Sequence, residues 1–549
     1  MVISLEIMVQ PDELKKTETL LWSSGTGVDV WAMFCAARTG DTAALKTLLA
    51  KEPALVQCHY IYRTPLYFAV RENQLEAAQL LLDKGADPIG LAVNDSLLEI
   101  AADRGFAQMQ KLLEDHLAFV LGTSPAGEEI AAVIRARDLS NLRKLLDDNP
   151  RVLHSRDRAS NQPIHWATMT RNLESIDELL LRGADINAKR ADGARSIQLV
   201  NGDYNYRGWR DVPDTVTTTA REVLEHLRKR GADVDICTAA HIGDLDRVRE
   251  LLDNEPSLAN RVSEYVTYYV GSGSPLRNAA AAGNIAIVSL LLARGADPNL
   301  REEGIAPKGH ALYAAVTNGH YEVAKLLLEH GAFPNPPVES SADALSIALG
   351  KSDQKMIELL CSYGAARSVD LLAYSDDVET AAAVFAANPV MARNTRAFAN
   401  AAVQGHEAFL RLMLRYDPDL PKRLPANDYW LFDVKTPELI EFLFQRGMDP
   451  SRPNWLGVTP LHHFAMKGDI VRAAMYLDHG ADLNARDEDI SSTPLAWAAK
   501  FGKAEMVSYL LGRGAARQLP DDPEWATPIA WAKRRGHQDV VELLEPATA

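Results

Sequence analysis

Short amphipathic segments repeat along this chain, each with apolar residues at helical spacing. In the segment from Leu75 to Leu82 the apolar positions recur three and four residues apart, which predicts a helix with one buried face. Gly85 follows and can supply the left-handed residue that ends such a helix. Before it, Thr64-Pro65-Leu66 predicts a helix start, because Thr caps the first turn and Pro lacks the N–H that would stay unpaired there. The pattern therefore predicts pairs of short helices.

Both signals recur along the chain with a period of about one helix pair. The glycine stop recurs at 33 or 34 residues in several places and stands at Gly85, Gly183, Gly231, Gly295, Gly331, Gly364, Gly447, Gly480 and Gly514. The helix start precedes it by about twenty residues and stands at Thr64, Gln162, Ser274, Thr459, Thr493 and Thr527. A single helix pair cannot bury its own apolar face, so the pairs must stack on one another.

These motifs resemble ankyrin repeats, most closely in Thr459-Pro460-Leu461-His462 and in the stretch from Thr493 to Ala515. The resemblance extends over about 15–16 units between Val28 and Leu544. It implies an all-α ankyrin-repeat solenoid, curved, with finger loops (the extended loops before each helix pair) on its concave side. The motifs are specific for the fold and say little about the ligand.

Departures from the regular period divide the chain into five predicted segments. Residues 1–28 form an N-terminal cap, and residues 29–232 hold two three-unit modules with an insertion at about 194–218. Residues 233–368 hold further repeats, residues 369–425 hold degenerate or compressed repeats, and residues 426–549 hold the C-terminal repeats and cap. Four units end in a proline-containing tail, at Pro53, Pro150, Pro256 and Pro389, which suggests duplication of a three-unit block.

Composition narrows the classes of partner. The chain has 58 Lys and Arg against 74 Asp and Glu, a net charge of −16, which disfavours binding to nucleic acid. No signal peptide or long apolar stretch is visible, so we expect no membrane partner. The four cysteines are scattered without a CxxC pair, which favours reduced thiols and a cytoplasmic location. The chain also lacks metal-ligand and phosphate-loop spacings, so we predict no metal and no cofactor.

Aromatic residues in the finger loops are candidate partner-binding residues. Exposed Tyr and Trp bury a large area with little loss of rotamer freedom, as is typical of binding hot spots. The candidates are Tyr60, Tyr62, Tyr265, Tyr268, Tyr269, Tyr429, Trp430 and Trp455, together with Arg71 on a first helix. The alternative is that each aromatic side chain packs against its neighbouring finger. The first helices of the last units carry cations at Lys467, Lys500, Arg534 and Arg535, which suits a peptide of mixed charge.

The insertion between Gly183 and Gly231 is the strongest departure from the repeat. It holds the candidate binding residues Asp203, Tyr204, Tyr206, Arg207, Trp209 and Arg210. Arg207 and Arg210 are suited to grip a carboxylate or phosphate, with the aromatic rings as an apolar wall. The alternative is a self-packed loop whose Arg–Asp pairs are internal.

The leading hypothesis is a non-catalytic recognition protein that holds a partner protein or peptide in its concave groove. The alternative is a small-molecule-binding protein or enzyme, with a pocket closed by the insertion against Tyr60, His165, Tyr268 and Tyr269. There, His165 or Tyr204 would transfer a proton and Arg207 would orient an anionic substrate. The resemblance implies instead that His165 and His462, at the motif histidine, are structural hydrogen-bonding residues. We therefore assign no catalytic residue and favour a protein without enzymatic activity.

Overall fold

The computed structural model describes residues 8–89, 95–203, 206–265, 269–303, 305–339, 341–424 and 434–545. Within these ranges the chain is helical, and its β structure is limited to isolated bridges. The helices are α1 (Gly27–Thr39), α2 (Thr42–Lys51), α3 (Pro65–Arg71), α4 (Leu75–Asp83), α5 (Leu97–Asp103), α6 (Ala107–Leu121), α7 (Pro125–Arg135), α8 (Leu139–Asp148), α9 (Pro163–Met169), α10 (Leu173–Leu181), α11 (Gly208–Asp211), α12 (Ala220–Lys229), α13 (Ile236–Ile242), α14 (Leu245–Asn254), α15 (Pro275–Ala281), α16 (Ile285–Ala293), α17 (His310–Thr317), α18 (Tyr321–Glu329), α19 (Ala344–Gly350), α20 (Gln354–Ser362), α21 (Val369–Tyr374), α22 (Val378–Ala387), α23 (Thr395–Gln404), α24 (Glu407–Tyr416), α25 (Pro437–Phe444), α26 (Pro460–Lys467), α27 (Ile470–Asp478), α28 (Pro494–Lys500), α29 (Ala504–Gly512), α30 (Pro528–Arg535) and α31 (Gln538–Leu544). The predicted all-α solenoid is confirmed.

The predicted side-chain cap forms at four of the six predicted helix starts, namely Thr64, Ser274, Thr493 and Thr527. The side chains of Thr64, Ser274 and Thr493 accept a hydrogen bond from the backbone N–H three residues on, and a proline occupies the first helical position after each. The first helix of a pair, called the inner helix below, packs on the inner helices of neighbouring units, as in the series α1, α3 and α5 and the series α26, α28 and α30. Stacking of inner helices thus builds the array.

The four proline-containing tails form short 3₁₀ helices at Pro53–Gln57, Pro150–His154, Pro256–Asn260 and Pro389–Arg393. Each follows a ten-residue second helix and replaces the glycine stop. A buried apolar side chain, such as Leu55 or Leu258, fixes the tail against its unit.

Three hydrophobic cores fill the described part of the chain. One extends from Ile130 to Val270, and a second from Ile236 to Leu371. The third joins residues 14–113 to residues 369–544, so the first units and the last units share one core. The division into five segments stays a prediction, because a shared hydrophobic core does not test where one segment ends and the next begins.

Candidate functional site

The first and last units contact each other through a cluster of aromatic side chains. Trp455, in the loop before α26, is fully buried among the first units. Its ring lies 6.3 Å from Phe34 of α1, 6.0 Å from Phe68 of α3 and 5.5 Å from Tyr60, between ring centroids. At the chain's start, Val9 N–H donates to the Trp455 carbonyl at 3.3 Å. These contacts join the two ends of the array, and we call this contact region the closure.

An acidic loop, Asp487–Asp489 before α28, enters a group of arginines from the first units. The Asp489 carboxylate accepts hydrogen bonds from the Arg63 guanidinium and the Tyr67 hydroxyl. Arg104 Nη2 donates to the Asp489 carbonyl at 2.7 Å. The loop therefore supplies both side-chain and backbone acceptors to buried cations.

Glu488 of the same loop extends this contact to two further arginines. Its Oε2 lies 2.8 Å from Arg38 Nη2 and 3.4 Å from Arg71 Nη2. Arg71 is fully buried, with its guanidinium 5.0 Å from the Phe68 ring centroid. The sequence predicted that the Arg71 side chain is exposed and faces a partner. The predicted exposure is wrong, because the acidic loop covers this side chain.

The cations of the last inner helices pair with the third unit. Lys500 Nζ lies 2.6 Å from Asp95 Oδ2, and Arg535 Nη2 lies 2.7 Å from Asp103 Oδ2. Arg534 also approaches Asp103, at 3.6 Å. Lys500, Arg534 and Arg535 were expected to face a bound peptide; they instead have intramolecular carboxylate partners.

Two neighbouring carboxyl groups in the closure have pKa values shifted in opposite directions. Burial alone raises the pKa of Asp489, but the Arg63 charge and the hydrogen bonds from Arg63 and Tyr67 outweigh it and hold the pKa at about 2. Burial raises the pKa of Asp487 to about 6, although Trp497 Nε1 donates to it at 2.9 Å. A cavity of about 40 Å³ lies between the units here. That volume is far below the several hundred Å³ of a small-molecule site.

The insertion follows a shortened inner helix, the 3₁₀ helix Ser196–Leu199. Gly202 bridges Arg207 in an antiparallel pair and has φ +85°, and a Cβ there would overlap the Tyr206 carbonyl oxygen. Only glycine fits this tight return of the chain. The short helix α11 then carries Trp209 and Arg210.

The base of the insertion packs against the unit that precedes it. The Tyr206 ring lies 5.1 Å from Trp166 in a T-shaped pair, and Arg135 lies 4.9 Å above the Trp166 ring. Asp203 is buried and pairs with Arg190 at 2.7 Å, as the self-packed alternative expects for this residue.

The tip of the insertion remains at the surface. Trp209 is 52% exposed, and the Arg207 guanidinium lies 5.4 Å from its ring centroid. Arg210 is exposed as well. The structure thus leaves an aromatic ring and two arginines on a folded support.

The predicted finger residues divide by burial. The expectation of exposure is wrong for Trp455, Tyr265 and Tyr269, whose side chains are buried. Tyr265 and Tyr269 hydroxyls donate to Asp235 at 3.0 Å and to Asp192 at 2.7 Å. Tyr60 and Tyr62 are half-buried. Four candidates lie outside the described residues: Tyr204, Tyr268, Tyr429 and Trp430.

His165 holds the start of α9 together. Its Nδ1 accepts from the backbone N–H of Gln162 at 3.0 Å, and its Nε2 lies 2.9 Å from the Ala188 carbonyl. Both ring nitrogens are occupied, so the proton-transfer role considered for His165 has no free nitrogen to use. His462 makes the equivalent contacts to Thr459 and Ser492.

Stability is expected to fall as pH decreases because of these two histidines. Burial lowers the pKa of His165 and of His462 to about 4, from an ordinary value of 6.5. As the pH falls, the unfolded chain therefore binds these protons before the folded chain does. The stabilisation that the two neutral histidines give the folded chain is complete above pH 6.5 and is lost as the pH falls towards 4. Between pH 7 and pH 5 we expect a loss of about 2 kcal/mol for each histidine, measured by urea unfolding.

The control for that experiment is the exposed His154. The double variant His165→Asn/His462→Asn should be less stable at pH 7 and lose less between pH 7 and pH 5. His154→Asn should leave the wild-type pH dependence intact. An unchanged pH dependence in the double variant would contradict this explanation.

The described residues also bear on metal-binding and membrane-spanning classes of protein. No three His, Cys, Asp or Glu side chains in the described ranges are arranged to hold a metal ion. None of the helices described above is both long and apolar enough to cross a membrane.

Comparison with known proteins gives matches along much of the chain. A model of ankyrin repeats in three copies matches residues 7–90, 236–338, 276–372, 432–521 and 475–547, and a model of one ankyrin repeat matches residues 161–191. Among curated proteins, the probable E3 ubiquitin-protein ligase XBOS32 of Oryza sativa subsp. japonica is 44% identical over 89 residues, 16% of each chain. The probable E3 ubiquitin-protein ligase XBOS33 of the same organism is 42% identical over 88 residues, 16% of this chain and 15% of that protein.

The likeness to these relatives thus covers less than a fifth of their length. The family models carry more weight, because together they span more than half of the chain. Ankyrin repeats are in general protein-interaction scaffolds. The matched stretches contain the capped, stacked helix pairs described above, and the chain belongs to the ankyrin repeat family.

Proposed function

We propose that this protein is a non-catalytic recognition scaffold that binds a partner protein or peptide at the insertion. The observation that carries the proposal is the exposed Trp209 beside Arg207 and Arg210. An aromatic ring with neighbouring guanidinium groups is the composition of a binding hot spot. Its support is ordered, because Tyr206 packs on Trp166 and Asp203 pairs with Arg190.

The contacts of the closure favour this location over the finger loops of the first and last units. Trp455 and Arg71 are fully buried, and the acidic loop is bound to arginines of the same chain. A partner at that position would have to displace buried contacts. Partner binding at the insertion requires no such displacement, because Trp209 at its tip already faces solvent.

The proposal also includes a cytoplasmic location and the absence of enzymatic activity. The four cysteines are free, and one of them, Cys361, is exposed, which supports a reducing, cytoplasmic setting. The ligase activity in the names of the rice proteins belongs to those proteins and forms no part of the proposal.

Site-specific photocrosslinking tests the proposed location. A photoreactive phenylalanine analogue replaces Trp209 in one variant and Tyr363, an exposed residue at the end of α20, in a matched control. We expect one partner to crosslink at position 209 and not at position 363. The purified partner should then bind the Trp209→Ala variant at least tenfold more weakly than the wild type, as expected for an aromatic hot spot. Equal capture at both positions, or unchanged affinity in Trp209→Ala, would refute the location.

A further inference from the structure

Arginines recur at the ends of the first five inner helices. Arg38, Arg71, Arg104, Arg137 and Arg171 are spaced by 33, 33, 33 and 34 residues, one per unit. They lie in the last turn of α1 and α3, or within two residues after the end of α5, α7 and α9. A cation is favourable there, because the carboxyl end of a helix has a partial negative charge. We call these five residues the arginine series.

The first three members of the series already bind a peptide segment, namely the acidic loop of the same chain. Arg38 and Arg71 contact the Glu488 carboxylate, and Arg104 donates to the Asp489 carbonyl. The loop thus offers these arginines a side-chain carboxylate and a backbone carbonyl. The closure therefore shows which ligand chemistry this series accepts: an extended acidic segment.

The last two members have no such partner. Among the described residues, neither Arg137 nor Arg171 forms an ion pair with a carboxylate, and the same holds for Arg135 and Arg210. Arg137 Nη1 donates to the Thr170 carbonyl at 2.6 Å. Arg171 Nε is buried and has no hydrogen-bond partner in the described part of the chain. A buried donor without an acceptor is costly, and an acidic ligand would supply one.

These arginines converge on the insertion. Burial and the Asp211 carboxylate raise the pKa of the Tyr206 hydroxyl, whereas Arg135, Arg137 and Arg171 lie close enough to it for their charges to lower that pKa. Arg171 Nη2 also lies 3.5 Å from the position that a Cβ of Gly208 would take, next to Trp209. The surface thus combines several guanidinium groups with one exposed aromatic ring, in a chain whose net charge is −16.

We propose that Arg137, Arg171 and their neighbours Arg135 and Arg210 bind an extended acidic segment of the partner protein, as the first members of the series bind the acidic loop. This inference rests on the proposed function and specifies its ligand. The exposed Trp209 would contact an apolar residue of the segment. Ile490 is an example of such a residue, because it directly follows the acidic loop and is half-buried. The strongly acidic chain disfavours nucleic acid as the occupant.

A peptide with the chain's own acidic sequence provides the probe. A fluorescein-labelled peptide of residues 484–493 is titrated with the full-length protein, and its fluorescence anisotropy gives Kd. A second peptide, with Asn, Gln and Asn in place of Asp487, Glu488 and Asp489, is the neutral control. We expect the acidic peptide to bind and the neutral one to bind roughly tenfold more weakly or worse, with the affinity falling as salt increases.

Protein variants locate the bound peptide. Arg137→Gln/Arg171→Gln should weaken binding roughly tenfold or more while retaining the wild-type melting temperature. Arg396→Gln/Arg415→Gln removes two exposed arginines on α23 and α24 and should leave Kd unchanged. Displacement of the acidic loop at the closure would instead leave Kd insensitive to Arg137 and Arg171.

Three results would overturn the inference: equal affinity for the acidic and neutral peptides, a Kd indifferent to Arg137→Gln/Arg171→Gln, or tighter binding of a ten-residue oligothymidylate through the same arginines. None of these results would refute the proposed function, because crosslinking at position 209 detects a partner of any charge.

Discussion

Replacing Trp455 by alanine is expected to cost about 3–5 kcal/mol of stability, as truncation of a large aromatic side chain in a core does. Its ring is fully buried against Phe34, Phe68 and Tyr60. Since those residues belong to the first units, the loss should open the closure as well as destabilise the last units. Urea unfolding measures the first effect, and the radius of gyration from small-angle X-ray scattering measures the second.

The matched control is Trp209→Ala, which removes the same side chain from a half-exposed position. It should change stability by about 1 kcal/mol or less and leave the radius of gyration unchanged. If both variants had the same small effect, the aromatic contacts between the ends of the array would not exist in solution.

Replacing Asp489 by alanine is expected to destabilise the closure by about 3–5 kcal/mol. The substitution removes the Asp489 carboxylate from the buried Arg63 and from the Tyr67 hydroxyl that donates to it. The pKa of Asp489 is held at about 2, below its ordinary value of 3.8. The stabilisation it supplies is therefore complete above pH 3.8 and is lost as the pH falls towards 2. Urea unfolding between pH 7 and pH 3 measures both effects.

Asp419→Ala serves as the control for this prediction. Asp419 pairs with Lys422 on the surface, where both side chains are more than half exposed, so its removal should leave the free energy of unfolding nearly unchanged. An Asp489→Ala variant no less stable than Asp419→Ala would show that the acidic loop is solvated rather than buried.

Local signals in the sequence were sufficient to predict the repeat unit. Thr64, Ser274 and Thr493 cap their helices as the Thr-Pro-Leu pattern indicates, and Gly85 adopts the left-handed conformation at φ +91°. These interactions connect residues close in the chain, so one stretch of sequence determines each of them.

The closure could not be predicted in the same way. Arg63 and Asp489 are separated by 426 residues, and their contact depends on how small rotations between units add up along the array. Arg71 contacts Glu488, and Trp455 packs against Phe34 and Phe68, so residues distant in sequence contribute to the burial of both side chains. One signal was present in the sequence: arginines at 33-residue spacing near one end, and Asp487-Glu488-Asp489 near the other.

The insertion was predictable in part. Its excess length and aromatic content indicated a folded surface element, and Trp209 is indeed exposed. The role proposed for Arg135, Arg137 and Arg171 depends on the packing of Tyr206 against Trp166 of α9, which no local pattern specifies.

A double-mutant cycle between Arg63 and Asp489 tests the closure most directly. Arg63→Ala, Asp489→Ala and the double variant are unfolded in urea, and their free energies are compared with the wild type. The structure predicts a coupling energy of about 1.5 kcal/mol or more, as measured for close charge pairs in buried contacts. Additive effects, within about 0.5 kcal/mol, would contradict the closure. The concave groove between the first and last units would then again be a candidate site for the partner.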